Sequence, residues 1–151
     1  MQKAAERSVR AGAGGWVRRP TGAGAVDVAY LRPRPGSGLP IVVLPGGPGL
    51  ASAVPYRALR RRAAQRGLDV LMMEHRGVGL SRHEVTGQDL AIRDVTVTAA
   101  ADDLAAVLDA ADIERAVVYG SSYGAYLAQL FGAASGAGRR NGARFPGAVP
   151  G

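Results

Sequence analysis

The sequence predicts an α/β fold: a mostly parallel sheet with flanking helices and an antiparallel N-terminal edge. Three observations carry this. The runs 41–44, 68–73 and 116–119 are short and almost unbroken in apolar residues, as strands buried on both faces are. Segments with helical patterning lie between them, and strands alternating with helices imply parallel pairing under helices on both faces. Ahead of these runs, Trp16–Arg18 and Val26–Leu31 alternate apolar and polar residues, the pattern of paired strands with one wet face.

Taken in order, residues 1–14 show no clear periodicity and are expected to be disordered. The two alternating segments join around Gly22-Ala23-Gly24, and Pro33–Gly38 reads as a turn or short loop. Ile41-Val42-Val43-Leu44 then ends in Pro45-Gly46-Gly47-Pro48-Gly49, which can continue neither a strand nor a helix. Residues 53–66 predict a helix, with Leu59 and Ala63 set between arginines and Gly67 where a C-cap belongs. Leu68–Met73 is the second buried strand; Glu74–Ser81 and a polar loop over 82–95 follow it. A helix from Thr98 to Ala111 places Leu104, Val107, Leu108 and Ala111 on one stripe, with Asp102 and Asp103 near the end where the dipole favours acids. Ala116–Tyr119 is the third buried strand, and residues 125–131 are helical. In the sheet, 116–119 should lie beside 41–44, with 68–73 on the other side of 41–44.

The organisation expected is therefore an N-terminal segment 1–14, a domain over 15–132, and an irregular tail over 133–151. The tail loses both periodicities and is rich in Gly, Ala, Arg and Pro, the residues that G/C-rich codons give in any frame. It reads as an out-of-frame translation. One synonymous codon choice for Asn141–Gly147, shifted by one nucleotide, spells Met-Val-Leu-Asp-Ser-Pro, an apolar strand with a turn. A genuine low-complexity linker is the alternative.

Composition narrows the function. An apolar content of 47% excludes a disordered polypeptide, and 151 residues suffice for one domain. The absence of cysteine excludes disulfides and thiolate metal sites. The first ten residues lack the apolar core of a signal peptide, and no apolar run approaches the roughly 20 residues of a membrane span, so the expected location is the cytoplasm. The net charge of +7 raises nucleic-acid binding, but the arginines are scattered and no nucleic-acid motif accompanies them. Arg60, Arg61 and Arg62 read instead as a solvated helix face.

The chemistry concentrates in two glycine-rich turns. Gly120-Ser121-Ser122-Tyr123-Gly124 matches G-x-S-x-G between a buried strand and a helix, the context in which that pattern forms a nucleophile elbow. Strand and helix pass so closely there that Gly120 and Gly124 must lack side chains. The helix N-terminus aims N–H groups where negative charge develops on Ser122-bound substrate. Ser121 reads as a small residue at the strand end. Gly47 and Tyr123 could donate the two N–H groups of an oxyanion hole; standing alone, the 45–49 segment would be an ordinary Gly/Pro turn.

These motifs resemble those of α/β-hydrolases, in the proline iminopeptidase-like (serine aminopeptidase) branch. That branch carries His-Gly-Gly-Pro-Gly after its third strand, Asp-x-Arg-Gly-x-Gly-x-Ser after its fourth, and Gly-Gly-Ser-Trp/Tyr-Gly at the elbow. Here the counterparts are Pro45–Gly49, Glu74–Ser81 and Gly120–Gly124, in the same order and covering about residues 15–132. The resemblance implies Ser122 as nucleophile, Gly47 and Tyr123 as oxyanion donors, and amide bonds at peptide N-termini or esters as substrates. It implies a small-molecule or peptide substrate, with no cofactor, no metal, no nucleic acid and no membrane. Pro45 and Glu74 depart from the branch, which bears on loop shape and substrate choice.

In this fold the triad continues past the serine with an acid and then a histidine. No Asp, Glu or His follows Ser122, and both histidines, His75 and His83, precede it. His75 reads as a loop residue and His83 as surface. The chain as given is expected to be inactive, and its rival reading is a non-catalytic binding module.

Overall fold

The computed structural model describes residues 2–47 and 49–136. It contains α1 (Gln2–Ser8) with a π-helical turn (Val9–Ala13), β1 (Gly14–Pro20), β2 (Ala25–Leu31), β3 (Ile41–Leu44), α2 (Arg57–Gln65) and β4 (Val70–Met73). Short 3-10 turns at Gly79–Ser81 and Ile92–Asp94 lead to α3 (Val97–Ala110), β5 (Val117–Gly120) and α4 (Tyr123–Gly136).

The strands form one sheet in the order β1-β2-β4-β3-β5. β3 pairs parallel with both β4 and β5, while β1 and β2 form the antiparallel side, so the sequence-predicted neighbours are the observed ones. Successive residues of a strand face opposite sides, and the two sides carry different helices. Leu71 and Met73 join Leu104, Val107 and Leu108 of α3 and Leu127 and Phe131 of α4 in the main core. Met72 points the other way, its Sδ 3.7 Å from a guanidinium nitrogen of Arg60 on α2. Each fully buried leucine of the α3 stripe contributes about 1.5–3 kcal/mol relative to exposure. Thr96 caps α3 by accepting from the Ala99 N–H at 3.1 Å.

Several elements depart from the sequence reading. Residues 2–13 are helical rather than disordered. Their anchor is Val9, buried with Leu31 and Ala53, with Glu6 paired to Arg10 one turn away and Arg10 over the Trp16 ring at 5.8 Å. The sequence of this segment shows no apolar periodicity to read. α2 begins at Arg57, not at 53, because Ser52 and Ala53 are tied to the Glu74 carboxylate before the helix starts. Arg60 is buried rather than part of a solvated face, donating to the carbonyls of Ser52 (2.6 Å) and Ala53; Arg61 and Arg62 are exposed. Asp103 is also fully buried, which a dipole role does not require. α4 continues to Gly136, so residues 133–136 of the expected tail are helical, and the out-of-frame reading of the rest lies outside the described residues. Among the described residues no helix is long and apolar enough to cross a membrane.

Candidate active site

β5 runs straight into α4 through Ser121 and Ser122. The Ser121 N–H donates to the Leu44 carbonyl (3.1 Å), extending the β3–β5 pairing by one residue beyond the strands. The chain then reverses: the N–H groups of Gly124 and Ala125 donate to the carbonyls of Ser121 and Ser122, both at 2.9 Å. That turn forces Ser122 to φ +52°, a left-handed conformation costing a serine roughly 1–2 kcal/mol. The strained residue is Ser122 and not Ser121, and it is exposed to solvent.

The glycines explain why the turn can close. A Cβ at Gly120 would overlap the backbone of Gly124, and one at Gly124 would overlap the carbonyl oxygen of Leu44. The loop after β3 completes the arrangement. A Cβ at Gly46 would come within 3.1 Å of Ser122 Cβ and of the Ser121 oxygen, so loop and elbow are in direct apposition. Gly47 is left-handed at φ +66° and accepts from the Leu50 N–H at 3.3 Å. Tyr123 opens α4, where an N–H has no intrahelical acceptor. Ser122, Gly120, Gly124, Tyr123 and the 46–47 loop are therefore neighbours.

The residues after β4 brace this arrangement. The Glu74 carboxylate, 2% exposed, accepts from the Ser52 N–H (2.6 Å), the Ser52 hydroxyl (3.1 Å), the Ala53 N–H and the Leu80 N–H (3.1 Å). Gly79 must be glycine because a Cβ there would overlap that carboxylate. Ser81 donates to the Glu74 carbonyl and accepts from the Ala29 N–H. Arg76 makes two bonds to Asp103, at 2.6 and 2.7 Å, and Arg19 adds a third at 3.0 Å. The second motif thus holds the 52–53 segment, a few residues beyond the 46–47 loop. Sequence reasoning missed Ser52, Arg60 and Asp103 as parts of this brace; the signal available was a motif arginine at a strand end, which needs a buried acid.

His75 packs edge-on against the Tyr123 ring, centroids 5.8 Å apart and planes at 85°. Among the described residues neither ring nitrogen has a hydrogen-bond partner, and burial pushes the imidazole below its ordinary 6.5 despite opposing pulls from Glu74 and Asp103. It makes no hydrogen bond to the serine hydroxyl. Because the folded value is depressed, the unfolded chain takes up the proton first. Stability is therefore complete above about pH 6.5 and declines below it, by at most about 1.4 kcal/mol per pH unit. His75→Leu should flatten urea-unfolding stability between pH 7 and 5 relative to the parent; an unchanged slope would refute this. His83, by contrast, is exposed with its Nδ1 2.9 Å from Asp89.

The profile of the family described as alpha/beta hydrolase fold matches residues 40–135. No curated protein matches the sequence. Among solved structures, a protein of Agrobacterium vitis described as a hydrolase aligns at 23% identity and TM-score 0.69, covering 87% of this chain and 49% of its own. The proline iminopeptidase-related protein of Thermus thermophilus aligns at 24% and 0.57, covering 78% and 39%. Epoxide hydrolase A of Mycobacterium thermoresistibile aligns at 22% and 0.57, covering 79% and 34%. The chain therefore spans about half the length, or less, of these structures. With the family match extending from β3 through the elbow, this chain belongs to the alpha/beta hydrolase fold family.

Proposed function

We propose that this chain presents the nucleophile and oxyanion elements of a serine hydrolase acting by acyl transfer. In this reading the Ser122 oxygen bonds to a substrate carbonyl carbon, and the N–H groups of Gly47 and Tyr123 hold the oxygen that gains the charge. The carbonyl re-forms as the amine or alcohol leaves with a proton, and water then releases the acid and regenerates Ser122. The observation that carries the proposal is an exposed serine held at φ +52° between two glycines that tolerate no side chain. Strain of this kind collects at functional sites. The apposition of Gly46 to Ser122 supports this role for the 46–47 loop. The substrate is a small molecule or peptide: amide bonds at peptide N-termini, in keeping with the proline iminopeptidase-related neighbour, with esters as the alternative.

A second reading, a non-catalytic binding module, is favoured by one observation. His75 is buried and makes no hydrogen bond to the serine, and no base is bonded to Ser122 among the described residues. A serine without a base is a weak nucleophile. The purified chain should therefore react with a fluorophosphonate at least about four orders of magnitude more slowly than intact serine hydrolases do. The residual labelling should map to Ser122 and vanish in Ser122→Ala. Labelling that persists in Ser122→Ala would overturn the nucleophile assignment; labelling at the rate of intact enzymes would overturn the inactivity.

A further inference from the structure

A cavity of about 490 Å³ opens between the end of β2 and α2 on the face that carries α1. Its volume falls in the range of small-molecule sites. Among the described residues, none of the elbow or of the 45–49 loop lines it. Its character is divided. Leu31, Ala53 and Val54 provide an apolar surface. Arg34, Arg57, Arg60 and Arg61 are among its lining residues, and no acidic residue lines it among the described residues.

The charge there is only partly compensated. Arg60 is fixed by the carbonyls of Ser52 and Ala53, with its planar group inside the wall. Burial pushes that guanidinium down, Glu74 partly restores it, and the neighbouring charge of Arg57 opposes it further. Arg34, Arg57 and Arg61 are exposed, and none forms an ion pair with an acid among the described residues. Other arginines of the chain do find acids: Arg18, Arg19, Arg32 and Arg76 pair with Asp27, Asp103, Asp69 and Asp103. Arginines lining an apolar cavity, with no acidic partner among the described residues, match a ligand with an anionic head and an apolar tail. Guanidinium forks bind carboxylate and phosphate oxygens in pairs, and the apolar wall gains from covering by hydrocarbon.

We propose that the cavity bounded by β2 and α2 is a binding site for an organic anion with an apolar tail, its head on Arg34, Arg57 and Arg61 and its tail on Leu31, Ala53 and Val54. The site is separate from Ser122 and independent of its chemistry.

The test is calorimetric titration of the whole chain with dodecanoate below its micelle concentration, beside dodecyltrimethylammonium, acetate and inorganic phosphate. Dodecanoate should bind one-to-one and at least about tenfold more tightly than any of the other three. The double variant Arg57→Gln/Arg61→Gln, altered only at exposed helix positions, should lose about tenfold or more for dodecanoate while keeping the parent's melting curve. Val54→Trp should block binding by filling the apolar part. Equal affinity for the cationic amphiphile would reduce the site to a greasy surface, and phosphate binding as tightly as dodecanoate would remove the tail from the argument. Undiminished dodecanoate binding in the double arginine variant would overturn the proposal by itself, even if Val54→Trp failed to fold.

Discussion

Gly124→Ala is expected to destabilise the chain by about 3 kcal/mol or more, among the largest effects available to a one-carbon change. The added methyl would occupy space already held by the carbonyl oxygens of Leu44 and Pro45. Neither partner can yield, because Leu44 accepts from Ser121 in the β3–β5 pairing and Pro45 begins the loop facing the elbow. Gly120→Ala meets the backbone of Gly124 and should behave alike. The control lies further along α4: an added carbon at Gly132 has open space, and alanine suits a helix better. Gly132→Ala should therefore stabilise by about 0.5–1 kcal/mol. Urea denaturation of the three variants decides the matter; a Gly124→Ala midpoint within error of the parent would mean that strand and helix do not approach as described.

Asp103→Ala should cost about 3–5 kcal/mol, because it strands a buried cation. Arg76 is 6% exposed and its guanidinium rests on both Asp103 oxygens, while Arg19 reaches the same carboxylate from β1. The Asp103 hydrogen bonds hold the Arg76 guanidinium above its usual range, against the opposing pull of burial. Removing the acid leaves that buried charge with the Asp94 carbonyl, 3.1 Å away, and the weaker pulls of the Asp94 and Asp102 charges. The paired change Arg76→Met/Asp103→Leu removes charge and partner together, and thermal unfolding should show it far less destabilised than Asp103→Ala. A double variant as unstable as the single would assign the loss to packing instead.

What was legible in the sequence is what local pattern encodes. The runs at 41–44, 68–73 and 116–119 read as strands, and with helices between them the parallel order followed; the strands formed are 41–44, 70–73 and 117–120, and Leu68, ahead of β4, and Tyr119, on the edge strand β5, are exposed rather than buried. The elbow was legible because glycine at 120 and 124 has a steric reason that involves only nearby backbone, and the positive φ falls on Ser122 as that reason requires. Charged residues were read badly wherever burial depended on a distant partner. Arg60 lies in a run of arginines that reads as solvent-facing, yet the carbonyls of Ser52 and Ala53 draw it inside. Asp103 sits where a helix dipole would welcome an acid, and nothing local marks the two arginines that meet it from β1 and from the turn after β4. Residues 2–13 failed for a related reason: their sequence carries no apolar stripe, and Val9 is buried against Leu31 and Ala53, which are distant in the chain.

The pairing of Leu44 with Gly120 also sets a temporal order on assembly. The loop that faces Ser122 and the turn that strains it belong to strands separated in the chain by α2, β4 and α3. Contacts of such long sequence separation form late, since a long stretch of chain must be closed before they return any free energy. During synthesis β3 can meet β4 while β5 is still inside the ribosome, but the elbow has nothing to press against until α4 has emerged. The left-handed serine is therefore among the last backbone conformations the chain acquires, and the first that a loosened β3–β5 ladder would release.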